Sequence, residues 1–118
     1  MRIKKVWAMY FSGTGTTEKT VRRIAAGMAQ ALDAELAVYD FTTPVARQRE
    51  LRFNAEELAV LGVPVYAGRV PNVLLPYLTK QLHGGGALAV PVVLFGNRNF
   101  DDGLIELRNI LTEDGFMP

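Results

Sequence analysis

Tyr10-Phe11-Ser12-Gly13-Thr14-Gly15-Thr16-Thr17-Glu18-Lys19 sets two glycines and four hydroxyls between an apolar run and an amphipathic one. Glycines at 13 and 15 let the backbone take dihedrals closed to other residues and come close to a ligand. The helix that follows turns its unpaired N–H groups and positive dipole end toward an anion. Ser12, Thr14, Thr16 and Thr17 supply the hydroxyls. A terminal phosphate monoester has three free oxygens to satisfy, and hydroxyls with backbone donors do so without a lysine or a metal. A diphosphate inside a chain needs fewer. The stretch reads as a phosphate cradle, with a glycine turn and a threonine helix cap as the plainer reading.

Working outward, Ile3 to Phe11 is the near-continuous apolar run of a strand covered on both faces, with Trp7 in the core. From Thr17 to Leu32 the set Val21, Ile24, Ala25, Met28 and Leu32 recurs at helical spacing, with Arg22, Arg23 and Gln30 elsewhere on the wheel. Glu35 to Phe41 gives a second short strand. Thr42 to Asn54, with Pro44, Arg47, Arg49 and Arg52, is an irregular crossover whose arginines read as solvated, or as a docking patch for an acidic partner. Glu57 to Tyr66 is a third strand. Leu74, Leu75, Tyr77, Leu78 and Leu82 make the next helix, capped by Asn72 and with Pro76 in its first turn. His83 is a surface residue or a helix-end cap, and Gly84 to Gly86 ends the helix. Ala87 to Phe95 is the fourth strand, where Pro91 marks a bulge or an unpaired edge position. Gly96 to Phe100 is a loop, and Asp101 or Asp102 caps a last helix that turns Leu104, Leu107, Ile110 and Leu111 inward. Strand and helix alternate throughout, so residues 1–118 form one α/β domain with a parallel sheet and right-handed crossovers.

Composition removes several function classes. The chain has no cysteine and one histidine, which leaves no disulfide, no thiolate metal site and no cysteine-ligated cluster. A net charge of +1 without a basic stripe gives nucleic acid nothing to recognise. No run reaches the roughly 18 apolar residues that span a bilayer. The basic start at Met1 to Lys5 is followed by a run that Ser12 interrupts too soon for a signal peptide, so the expected compartment is the cytoplasm.

In an open α/β sheet, ligands bind beyond the carboxyl ends of the strands, where strand order reverses. Three loops have that position: Ser12 to Thr17, Tyr66 to Pro71 and Gly96 to Phe100. The first resembles the phosphate loop of flavodoxins at every fixed position. Pro64-Val65-Tyr66-Ala67-Gly68-Arg69-Val70-Pro71 and Gly96-Asn97-Arg98-Asn99-Phe100-Asp101-Asp102 look like the two loops that clasp their flavin ring. The pieces are most similar to short flavodoxin-like domains joined to ferredoxin-type modules. That resemblance implies a three-layer sandwich with strand order 2-1-3-4 and FMN as cofactor. It implies that Ser12, Gly13, Thr14, Gly15, Thr16 and Thr17 hold the phosphate, and that Tyr66 and Phe100 flank the ring. It also implies that Ala67 and Gly68 sit near flavin N5, and that Arg69, Gly96, Asn97 and Arg98 complete the ring loops. A redox partner protein is implied, an iron–sulfur module among the choices.

The chain departs from flavodoxins in two ways. Flavodoxins are strongly acidic, whereas this chain is nearly neutral and puts Arg69 and Arg98 in the ring loops, solvated or paired with carboxylates such as Asp101 or Asp102. A cation beside a reduced flavin raises its low potential, which Arg98→Ala would then lower. The chain also stops where a fifth strand would begin, ahead of that strand and the last helix. An apolar fourth strand is then an open edge, and the expectation is a homodimer, a strand swap or a chain cut from a longer one. Alternative functions are an FMN-dependent reductase of a small substrate such as a quinone, and a non-enzymatic assembly module without flavin. A nicotinamide-dinucleotide site, with Asp40 for the ribose, fails because Glu18 stands at the third glycine position. A P-loop fails because the Gly-Lys-Ser/Thr ending is missing.

Overall fold

The computed structural model describes residues 2–12, 15–65, 69–94 and 101–117, with Asp101 and Asp102 described by their backbone alone. Four parallel strands form the central sheet: β1 (Lys5–Tyr10), β2 (Glu35–Asp40), β4 (Glu57–Pro64) and β6 (Leu88–Leu94), in the spatial order β2-β1-β4-β6. Among these long strands the order is 2-1-3-4, as expected. Register is continuous from Lys5 opposite Glu57 to Tyr10 opposite Gly62, and from Leu58 opposite Leu88 to Pro64 opposite Leu94.

Side chains alternate across a strand, so parity separates two cores. Val6, Ala8 and Tyr10 of β1 and Leu58 and Val60 of β4 face helix α1 (Thr16–Leu32). Met9, Ala59, Leu61 and Val63 face the opposite way, toward α2 (Leu75–Lys80) and α3 (Asp101–Glu113). Helix, sheet and helix give three layers. The buried row of α1 is Thr17, Val21, Ala25 and Ala29, whereas Ile24 and Met28 are half-buried and Leu32 is 41% exposed. The helix has turned by one row relative to its apolar pattern, and Gly62 explains why. A Cβ there would lie 2.2 Å from Val21 Cγ2 and 3.2 Å from Thr17 Cγ2, so the missing side chain lets α1 settle onto β4.

Several short-range expectations are corrected. β4 ends at Pro64, ahead of Tyr66. Asn72 does not cap the following helix. It opens a 3₁₀ turn, Asn72–Leu74, in which the Leu74 N–H bonds the Pro71 carbonyl at 3.0 Å, and no side chain caps α2. Leu82 and His83 belong to a strand, β5, which pairs in parallel with β3 (Leu51–Arg52) out of the crossover. His83 therefore caps no helix; its ring bonds Glu50 at 2.9 Å. Glu50 also takes Arg52, and the two partners hold its carboxyl below the usual range, the His83 bond foremost.

Pro91 interrupts neither the register nor the pairing of β6 with β4. The Ala89 N–H bonds Met117 on the outer side of β6, and parity puts the donor-less Pro91 nitrogen on that same outer edge. The chain's last described residues lie along this edge. Met117 pairs in parallel with Leu88, its N–H bonding the Ala87 carbonyl at 2.8 Å and its carbonyl taking the Ala89 N–H at 2.9 Å. A fifth position in the sheet thus begins at Met117, and Gly84 to Gly86, expected to end a helix, instead follows β5 and serves this edge, since α2 already stops at Lys80. The Gly84 and Gly86 N–H groups bond the Asp114 and Gly115 carbonyls at 2.8 and 3.0 Å.

Candidate functional site

All four long strands run the same way, so the segments after β1, β4 and β6 leave from one edge of the sheet. The chain passes from β1 to β2 across one face and from β2 to β4 across the other, which opens the crevice between β1 and β4. Ser12 and residues 15–17 lie at that point.

Of this turn, Gly13 and Thr14 lie outside the described residues. Gly15 takes φ +88° at the N-cap of α1, a left-handed value that favours glycine, with nothing within 4 Å of where a Cβ would stand. The Ser12 hydroxyl accepts the Gly15 N–H at 2.9 Å and the Glu18 N–H at 3.3 Å. It thereby joins the two ends of the turn. Thr16 is exposed, whereas Thr17 is buried with its methyl toward Gly62. Thr16 stands at one end of a hollow of about 430 Å³ along α1, which Lys19, Thr20, Arg23 and Ile24 complete.

A relay reaches the turn from β2. The Asp40 carboxylate accepts the Thr42 N–H at 2.9 Å and, in a short bond, the Thr42 hydroxyl; that hydroxyl in turn accepts the Ser12 N–H at 3.0 Å. Asp40 thus fixes the cradle through Thr42. Arg47 closes the arrangement from above. Its Nη1 donates to the Phe41 and Thr42 carbonyls at 2.9 and 2.8 Å, and its guanidinium lies 5.5 Å from the Phe11 ring centroid. Arg47 is therefore no solvated loop residue. Arg49 lies over Tyr39 at 5.8 Å, and Arg52 pairs with Glu50 at 2.9 Å.

On the other flank, Arg22 donates to Glu18 at 2.9 Å and to the Tyr10 hydroxyl at 3.0 Å. Burial pushes the Tyr10 phenol up, against the pull of Arg22. Glu18, the residue that argued against a pyrophosphate, is thus turned to the side of α1 by its own cation.

After β4, Tyr66, Ala67 and Gly68 lie outside the described residues, as do Gly96, Asn97, Arg98 and Phe100 after β6. Arg69 is placed, and a carboxylate it meets is Glu106 of α3; the side chains of Asp101 and Asp102 lie outside the described residues. Nη2 and Nε reach Glu106 at 3.0 and 3.3 Å, and Glu106 also accepts the Val70 N–H at 3.0 Å. Arg69, followed by that amide, holds the Glu106 carboxyl below the usual range.

No family model and no curated protein matches the chain. Its structure is similar to a crystal structure of a putative flavoprotein from Bacteroides uniformis, with a TM-score of 0.61 and 19% identity over 96% of this chain and 85% of that one. Strand order, parallel sense and helices on both faces agree with this likeness. The fold is flavodoxin-like. Within that flavodoxin-like frame, the sequence reading missed Thr42, Arg47 and Glu106. Asp40-Phe41-Thr42, an acid two residues before a hydroxyl at a strand end, carried a readable turn signal. Glu106 carried none, because its targets lie 36 and 37 residues away. No helix among the described residues is long and apolar enough to cross a membrane.

Proposed function

We propose that the chain binds FMN and passes electrons to or from a partner protein. The supporting observation is the hydroxyl-rich turn at Ser12 to Thr17. It sits at the crevice between β1 and β4 and is braced by the Asp40–Thr42–Ser12 relay. The fold it shares with a protein described as a flavoprotein adds to this. Four hydroxyls favour a terminal phosphate, hence FMN over FAD. Ser12, Gly13, Thr14, Gly15, Thr16 and Thr17 would hold that phosphate, and Tyr66, Ala67, Gly68, Gly96, Asn97, Arg98 and Phe100 would meet the ring. The redox chemistry is the flavin's; the protein binds, orients and tunes it. Arg69 is partly neutralised by Glu106, and Arg98 would be a further cation raising the low potential. On this reading the protein works in the cytoplasm beside its partner, an iron–sulfur module being one candidate.

Titration of the purified chain with FMN, followed by flavin fluorescence, tests the proposal. Saturable one-to-one uptake is expected, with Thr14→Ala weakening it about tenfold, the size of one lost hydrogen bond to a charged group. A colourless chain that takes up no FMN would leave the assembly-module reading. NADPH oxidation with a quinone would move the assignment to a reductase.

The outer edge of β6 beyond Ala89 is where a second copy would add a strand, with Pro91 withholding one donor from the ladder. Light scattering at high concentration checks this: a dimer supports edge pairing, and a monomer at every concentration removes it.

A further inference from the structure

We propose that Glu106 is a positioning residue for the ring end of the site: one carboxylate fastens the chain at Arg69 and Val70, on its way from β4 to α2, to α3, the helix that follows β6. The proposal rests on the flavin reading. Its geometry uses both carboxylate oxygens. Oε1 accepts the Val70 N–H at 3.0 Å and Arg69 Nε at 3.3 Å, while Oε2 accepts Arg69 Nη2 at 3.0 Å.

An ion pair at a surface stabilises little, because two long side chains must be held still in a strongly screening solvent. This pair differs in two respects. The Glu106 side chain is only 19% exposed against 65% for Arg69, so the acid is the fixed member and the arginine folds down onto it. The third bond goes to a backbone amide, which fixes a point on the chain rather than a side-chain tip. Val70 itself is 1% exposed, so its N–H has no easy route to water once the carboxylate is gone.

The position of this clasp gives it its role. The Val65 N–H bonds the Leu94 carbonyl at 2.9 Å, tying the end of β4 to the end of β6. Val70 to Glu106 ties the chain's return to the second turn of α3, which begins directly after residues 95–100. The connection after β4 is therefore pinned at both ends, each time to an element bordering the connection after β6. Glu113 lines the same groove of about 390 Å³ along α3, with Ile105, Asn109 and Ile110, yet it makes no bond to Arg69 or Val70. Glu106 alone among these acids holds the backbone.

Amide hydrogen exchange and FMN titration on wild type, Glu106→Ala and Glu106→Gln separate positioning from general stability. Glu106→Ala should speed Val70 exchange and weaken FMN binding, each about tenfold, with exchange in β1 and β4 unchanged. Glu106→Gln keeps an acceptor for Val70 and should restore both, while removing one negative charge from the ring end and so raising the flavin's low potential. If Glu106→Ala does not fold, the shorter Glu106→Asp takes its place, with the same losses expected. Unchanged Val70 exchange overturns the clasp. Faster exchange with unchanged FMN affinity overturns its role in the site. If wild type binds no FMN, the flavin reading has failed, and Val70 exchange alone then decides whether the clasp exists.

Discussion

Gly84→Ala is expected to lower the melting temperature by about 10–15 °C, from an overpacking cost of about 3 kcal/mol at the upper end of the usual range. A Cβ at this position would stand 2.4 Å from the Phe116 nitrogen, 2.6 Å from the Gly115 carbonyl carbon and 2.8 Å from Phe116 Cγ. Two of these are backbone atoms, so no rotamer change relieves them. Gly84 is not among the positive-φ glycines, so the cost is one of space rather than of dihedral. Relief requires residues 115 and 116 to move off, which breaks the Gly84–Asp114 and Gly86–Gly115 hydrogen bonds and lifts Phe116 from Phe53, whose ring centroid is 5.2 Å away. Gly27→Ala supplies the control. It lies exposed in α1 with nothing within 4 Å, and alanine there should raise stability by about 0.5–1 kcal/mol. Thermal melts of the two variants decide it; equal melting temperatures for Gly84→Ala and wild type would sink the packing argument.

How legible a feature was depended on how local its cause is. β1, α1, β4 and β6 were readable because each carries its own period, and an eight-residue strand buried on both faces leaves little ambiguity. The cradle was readable because a strand, a glycine turn and a helix adjoin one another in the chain. β3 and β5 were not, since each is two residues long and the pairing of Leu51 with Leu82 spans the whole of β4 and α2. Thr17 shows the same limit within one helix. By composition it is one more hydroxyl for the anion, and nothing local shows that Gly62, forty-five residues on, also takes its methyl against the sheet. For Arg69 the chain offered solvent or carboxylates such as Asp101 and Asp102, whose side chains lie outside the described residues, and the fold adds Glu106 from the second turn of α3. Pairings of this kind follow from tertiary placement, and a single sequence carries no periodic trace of them.

Stability should fall as pH rises from about 4 to about 7, and Asp114→Asn should abolish most of that fall. Asp114 follows the last residue of α3 and opens the turn to Met117; its carbonyl accepts the Gly84 N–H, while its Oδ2 is buried with no hydrogen-bond partner among the described residues. Burial pushes its carboxyl up to about 7, with Glu113 adding to the rise and His83 opposing it. The folded-state value lies above that of the unfolded chain, so the folded form prefers the protonated acid. Its contribution is complete below the unfolded value, is lost progressively as pH climbs to the folded one, and stays lost above it. Three units at about 1.4 kcal/mol each set a ceiling of about 4 kcal/mol, and the partial exposure of the side chain brings the expected loss to about 2 kcal/mol. Glu106 and Glu50, both held below the usual range, act in the opposite sense, adding stability above their ordinary values that acid removes. The two tendencies overlap between pH 4 and 5, so the variant must be compared with wild type at each pH. Denaturant unfolding should show Asp114→Asn more stable than wild type by about 2 kcal/mol at pH 8 and nearly equal to it at pH 4. Parallel curves across that range would mean that water or a shift of the turn already satisfies the carboxylate. The turn would then close on α3 without the proton, and the Gly84 contacts alone would hold the last residues against β6.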